Sequence, residues 1–204
     1  MIVEPARARE LLEQGQAVVL PNPSPLTCVV AATSPAVVNA AKGRPERQNV
    51  AVWGLDDDFW SLLRPFIDLP DTPFAFDLLR RHPVTALLPV RGPLPRWAEP
   101  AVRDRQILLF GTRWEPVAEA VAGFGHLYVS SANRTGRPPA ATAAQAREMF
   151  GDRCAIVDRD VHHSPHLTHR ATTMVRIAPD GSVHLARSGA TDEVVTDVVS
   201  SPRS

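Results

Sequence analysis

The sequence predicts an α/β fold built on a mixed sheet with helices packed against it. Short apolar strand segments alternate with helix-like segments along most of the 204 residues. Two late strand segments face each other across Pro179-Asp180-Gly181, a hairpin turn, so the sheet is not purely parallel. Hydrophobic residues make up 44% of the chain, enough for a sizeable core.

The elements follow in order. Residues 5–14 read as a helix with Pro5 in its first turn, Leu11 and Leu12 on one face and Gly15 as its stop. Residues 17–20 form a short buried strand that runs into a proline-rich loop over 21–33. Ser34-Pro35 opens a second helix, with Gly43 just past its end. Residues 50–53 are a strand, 57–67 and 73–81 are helical, and 84–90 are an apolar strand. An irregular Pro- and Arg-rich crossing spans 91–104. The pattern then predicts a strand over 106–110, a helix over 115–122 and a strand over 126–130 that ends in Ser130-Ser131-Ala132-Asn133. Thr142 caps a helix that runs to Phe150, and residues 155–157 are a strand. After a histidine-rich loop over 158–170 comes the hairpin of 172–177 with 182–187. The expected organisation is one domain over 1–190 and a flexible C-terminal tail over 191–204.

Composition excludes several classes. Net charge is zero, so any polyanion site must be a local cluster. No stretch approaches the ~20 apolar residues that cross a bilayer, and no signal-like segment opens the chain, so a cytoplasmic protein with no membrane partner is expected. Cys28 and Cys154 follow no metal or redox spacing and read as free thiols. There is no P-loop, no dinucleotide-binding GxGxxG and no nucleophile elbow. His162, His163, His166 and His169 lie close together and read either as a polar loop or as ligands of a divalent metal.

Three motifs remain. Lys42 is the only lysine among 22 basic residues, and Lys42-Gly43-Arg44 sits at a helix C-terminus. Cations there complement the helix dipole; they also suit an oxyanion, with lysine as a point charge and arginine as a planar fork. Ser130-Ser131-Ala132-Asn133, followed by Thr135-Gly136, leaves the end of a strand. Such a turn is a polar exit or a cradle for phosphate oxygens. Arg187-Ser188-Gly189-Ala190 closes the last strand.

Together these resemble one family. Lys-x-Arg after a helix, the Pro83-Val84-Thr85 strand, Ser-Ala-Asn-x-x-Gly-x-Pro-Pro, and a Thr-Thr-x-Val hairpin ending in Arg-x-Gly-Ala are similar to the short form of the YrdC-like threonylcarbamoyl-AMP synthases. The resemblance runs over about residues 5–190. It implies a twisted mixed sheet around a concave, positively lined cleft. It also implies a nucleotidyltransferase that joins ATP, bicarbonate and L-threonine into threonylcarbamoyl-AMP for tRNA modification, with Mg2+ accompanying ATP and RNA touching the concave face. On matching positions, Lys42 and Arg44 are the expected catalytic cations and also bind nucleotide, with Ser131, Asn133 and Arg187. Thr173 and Ser130 are expected to bind the amino-acid substrate.

The pattern departs at one wall. The family carries Pro-Thr-(Asp/Glu)-Thr-x-(Tyr/Phe)-Gly after the first strand; here that stretch is Pro21-Asn22-Pro23-Ser24-Pro25-Leu26-Thr27-Cys28. A family arginine falls near Phe110, with Arg113 shifted from it, and an expected aspartate is Arg176. The nucleotide half is thus retained and the threonine half rebuilt. The alternatives are a divergent paralogue that binds ATP, AMP or RNA without threonine activity, and a carbamoyl-adenylate transferase with another acceptor.

Overall fold

The computed structural model describes residues 1–111 and 114–200. In chain order the elements are β1 (Ile2–Val3), α1 (Pro5–Glu13), β2 (Val18–Leu20), β3 (Val29–Ala32), α2 (Pro35–Ala41), β4 (Ala51–Gly54), α3 (Asp57–Leu63), α4 (Thr72–Arg81), β5 (Val84–Pro89), β6 (Val102–Arg103), β7 (Gln106–Phe110), α5 (Ala118–Val121), β8 (His126–Ser131), α6 (Ala143–Phe150), β9 (Ala155–Val157), β10 (Thr173–Ile177), β11 (Val183–Arg187) and α7 (Asp192–Ser200). Local chemistry sets several starts. Pro5 and Pro35 begin helices where their missing N–H is no loss. Asp56, Asp71 and Thr142 cap α3, α4 and α6 by accepting the amides of Phe59, Phe74 and Gln145.

One 11-stranded sheet runs β1-β9-β2-β3-β8-β4-β7-β5-β10-β11, with β6 on the flank of β7. It is mixed: β9 lies parallel to β1 and β2, β4 to β7 and β10 to β5, while β3, β8 and the β10–β11 hairpin pair antiparallel. Alternation then divides the core. Val30 and Ala32 of β3 face the cluster that includes Phe59, Trp60, Leu79 and Phe150 of α3, α4 and α6. Val29 and Ala31 face the other side, where α1 and α5 supply Leu11, Leu12 and Ala120. The second face is only partly roofed, and the uncovered part is the floor of a cleft. No helix among the described residues is long and apolar enough to cross a membrane.

Three segments differ from the expectation. β3 lies inside the stretch read as loop, because Val-Val-Ala-Ala is buried on both faces and shows no alternation of polarity. β1 is two residues long and is held by β9 alone. The segment read as a flexible tail over 191–204 contains α7 instead, with Val195 buried in the core and Thr191 buried beside Thr173.

Candidate active site

The helix α2 ends at Lys42 and turns at Gly43, whose φ of 64° is the left-handed conformation that favours glycine. The turn sends the Lys42 side chain inward, where only 3% of the residue is exposed. Its ammonium donates to the Ser131 carbonyl, to Asn133 Oδ1 at 2.8 Å and to Ser131 Oγ at 3.5 Å. Ser131 Oγ also donates to Asn133 Oδ1, at 2.6 Å. Motifs 89 residues apart in the chain thus meet at the C-terminal end of β8. Burial, and secondarily the neighbouring Arg44, push the Lys42 ammonium down to about 7. Among the described residues no carboxylate pairs with it.

Arg44 is half-buried and its acid strength is raised by burial. Asn39, fully buried in α2, accepts from Arg44 Nε and donates to the carbonyls of Glu46 and Gln48 at 2.6 and 2.8 Å. Asn39 therefore fixes both the arginine and the 44–48 turn. Arg44 also reaches the Asn49 carbonyl at 3.4 Å, and Asn49 lines the cleft.

The cleft encloses about 590 Å³ beside this cluster. Val29, Ala51, Phe110 and Val129 give it an apolar lining, and Ser130, Ser131 and Arg187 add polar groups. The expected positive lining is narrower than the resemblance implies: Arg187 is the charged side chain among the described lining residues, and Lys42 lies behind Ser131. Arg187 donates to the Thr172 carbonyl at 3.0 Å.

Thr173 requires a correction. It is fully buried, its hydroxyl donates to Asp192 Oδ1 at 2.6 Å, and it points to α7 rather than into the cleft. Strand alternation presents Thr172 and Met174 to the cleft in its place. Thr172 shares a hydroxyl bond with Thr85, a cleft residue the sequence reading missed. Gly189 makes this packing possible: a Cβ there would stand 2.3 Å from the Thr173 nitrogen.

The rewritten segment over 21–28 does form a wall. Asn22, Thr27 and Cys28 line the cleft, and Asn22 Nδ2 donates to the Thr27 carbonyl at 2.8 Å. Backbone bonds between Thr27 and Arg170, and between Arg170 and Pro25, tie this wall to the histidine-rich loop. The four histidines do not converge. His163 and His169 stack at 4.0 Å, His162 meets the edge of Trp114, and His166 is exposed. Among the described residues no three His, Cys, Asp or Glu side chains gather as a metal cage. Arg113 lies outside the described residues, and Arg176 is an exposed member of β10 opposite His184. Both cysteines are buried free thiols.

No family model matches the chain. A threonylcarbamoyl-AMP synthase of Nitrosococcus oceani is 46% identical over 72 residues, covering 34% of this chain and 37% of that protein. Another, of Idiomarina loihiensis, is 36% identical over 118 residues, covering 54% of this chain and 60% of its own length. The chain thus matches less than two thirds of either relative. Among solved structures, Sua5 of P. abyssi complexed with L-threonine superposes with a TM-score of 0.72 at 17% identity, over 96% of this chain and 57% of that one. E. coli YciO gives 0.64 at 14% identity, over 91% and 88%. The fold is therefore the YrdC-like α/β fold. The chain's sequence similarity is directed to threonylcarbamoyl-AMP synthases.

Proposed function

We propose that this protein is a nucleotidyltransferase of the threonylcarbamoyl-AMP synthase type, which binds ATP at the Lys42–Ser131–Asn133 cluster and transfers its adenylyl group to a carbamate. One observation carries the reading: a buried ammonium with no carboxylate partner among the described residues, aimed at a hydroxyl and amide turn. An uncompensated buried cation is costly, and an anionic ligand offsets that cost. The named relatives supply the class of anion, a nucleotide.

In this reading the amine of the acceptor forms a C–N bond to the carbon of bicarbonate, a C–O bond breaks, water leaves and a carbamate results. A carbamate oxygen attacks the α-phosphorus, the bond to the bridging oxygen breaks and pyrophosphate leaves. Charge gathers on the α-phosphoryl oxygens as the attack proceeds. Lys42 and Arg44 are fixed in advance to meet it, one as a point charge and one as a fork held by Asn39. Mg2+ would come as a companion of ATP: the hydroxyls of Ser130 and Ser131 line the cleft and would lie near it, while phosphates and water would supply most of its ligands. There it would neutralise phosphate charge. The product would serve tRNA modification in the cytoplasm, and RNA contact on the concave face is part of the same proposal.

The acceptor need not be L-threonine. The proline-rich wall of Asn22 and Thr27 supports a changed acceptor, including that of a carbamoyl-adenylate transferase. Pyrophosphate release with ATP-magnesium, bicarbonate and each amino acid in turn tests the reading. Release with threonine supports the parental reaction and release with another amine a changed one. Absence of release, with no ATP binding at millimolar concentration, overturns the proposal.

A further inference from the structure

Arg134 and Arg137 occupy the open positions of the Ser-Ala-Asn-x-x-Gly-x-Pro-Pro pattern, so the resemblance assigns them no role. The structure treats them differently. Asn133, whose Oδ1 faces Lys42, donates through Nδ2 to the carbonyls of both, at 3.2 Å to Arg134 and 2.7 Å to Arg137. The Arg137 amide closes the turn on the Arg134 carbonyl at 3.0 Å, and Gly136 adopts φ 81° between them. The two arginines are thus mounted on the same side chain that receives the buried lysine.

Their guanidiniums have room and are uncommitted. The position a Cβ would take at Gly43 lies 3.8 Å from Arg134 Nη2, so Arg134 folds over the Lys42-Gly43-Arg44 turn. Among the described residues, neither Arg134, Arg137 nor Arg44 takes part in an ion pair. Arg134, Thr135 and Arg137 line an open recess of about 690 Å³ together with Glu148 and Met149, whose Sδ accepts from the Arg134 amide at 3.2 Å. Most other arginines with a nearby acid use it; Arg7, Arg80, Arg81 and Arg159 are all paired. Two guanidiniums without an ion-pair partner, carried on one turn next to Lys42-Gly43-Arg44, suit a multivalent anion.

We infer that Arg134 and Arg137, with Arg44, form a jaw for a polyphosphate tail, taking the β- and γ-phosphates of the nucleotide and then the pyrophosphate released from it. The inference rests on the nucleotide reading above and adds a specificity: triphosphate over monophosphate. Guanidinium forks match terminal phosphate oxygens, where a lone ammonium supplies charge without direction. The same jaw would hold the leaving group as its bridging bond breaks, with Arg44 shared between that group and the α-phosphate that Lys42 meets.

The test is calorimetric titration of the full chain and of its Arg134→Gln/Arg137→Gln variant with AMP, ATP and inorganic tripolyphosphate. Both side chains are exposed, so equal melting temperatures are expected to certify folding. Wild type should bind tripolyphosphate, and bind ATP more tightly than AMP. The variant should lose about 10–100-fold on ATP and tripolyphosphate, the worth of one or two charge-assisted bonds, and stay within about twofold on AMP. Variant affinities for ATP and tripolyphosphate equal to wild type would overturn the jaw, as would ATP no tighter than AMP. Tight binding of a single-stranded oligonucleotide without tripolyphosphate binding would overturn it too. Tripolyphosphate binding that depends on Arg134 and Arg137, with no AMP binding at all, would support the jaw and sink the nucleotide reading instead.

Discussion

Replacing Lys42 by methionine is expected to stabilise the unliganded protein while disabling it. The ammonium ordinarily titrates near 10.5 and here does so at about 7. Proton linkage converts that difference, near neutral pH, into at most about 4 kcal/mol of folding free energy spent on holding the cation. Methionine has similar length and no charge. It leaves the Ser131 carbonyl without its lysine donor, a loss of about 1–3 kcal/mol, while Asn133 Oδ1 keeps the Ser131 hydroxyl at 2.6 Å. The balance favours Lys42→Met by about 1–3 kcal/mol, or about 3–9 °C in Tm. The sign of the pH dependence is equally specific. Because the folded-state value lies below the unfolded one, the unfolded chain binds more protons between pH 7 and 10.5, and wild-type stability rises with pH across that window. The variant should lack that rise. ATP affinity should fall by about 10–100-fold in the same protein. Urea unfolding across the window, with ATP titration beside it, provides the assay. A variant less stable than wild type at neutral pH, with an unchanged pH slope, would refute the reasoning.

Asn39→Ala strips partners from two part-buried carbonyls and from Arg44 at once; it should cost about 1–3 kcal/mol in urea unfolding and weaken nucleotide binding measured by calorimetry. Asp192 is held down to about 2 by hydrogen bonds from Ser188, Thr173 and the Gly189 amide. Its stabilisation is complete above its ordinary value of 3.8 and fades as pH falls towards 2, so Asp192→Asn should flatten the acid limb of the unfolding profile and speed exchange of the Gly189 amide. Dialysis against a chelator should leave Tm unchanged, because among the described residues no three His, Cys, Asp or Glu side chains gather to hold a metal.

Most long elements were legible because each announces itself locally: a cap, a terminal proline or an apolar run. What escaped depended on partners distant in the chain. β3 follows three prolines within 21–25, and only pairing with β2 and β8 makes it a strand. The start of α7, Thr191-Asp192-Glu193, has cap chemistry, but its β-branched valines argue against an isolated helix, and it is Asp192's bonds to Thr173, Ser188 and Gly189 that anchor it. Thr173 was misplaced by a single step of parity: strand register decides which of two adjacent threonines faces the cleft, and composition is silent on parity. Lys42, Arg44, Ser131 and Asn133 were singled out by their own motifs and given expected roles by the resemblance; the structure brings Lys42, Ser131 and Asn133 together. Asn39, an unremarkable helical asparagine in the sequence, is visible only once the 44–48 turn folds back over it.

The sheet order also bears on biosynthesis. Between Asn22 and Arg187 the cleft draws on nearly the whole chain, and β9 must slip between β1 and β2 while β10 docks beside β5. During synthesis, a ribosome-bound chain could assemble β4, β7 and β8 early, yet would lack Thr172, Met174 and Arg187 until its last strands emerged. The proposed cleft is therefore complete only once β10 and β11 have been made, and products truncated before β10 would hold the lysine–serine contact without a pocket to use it.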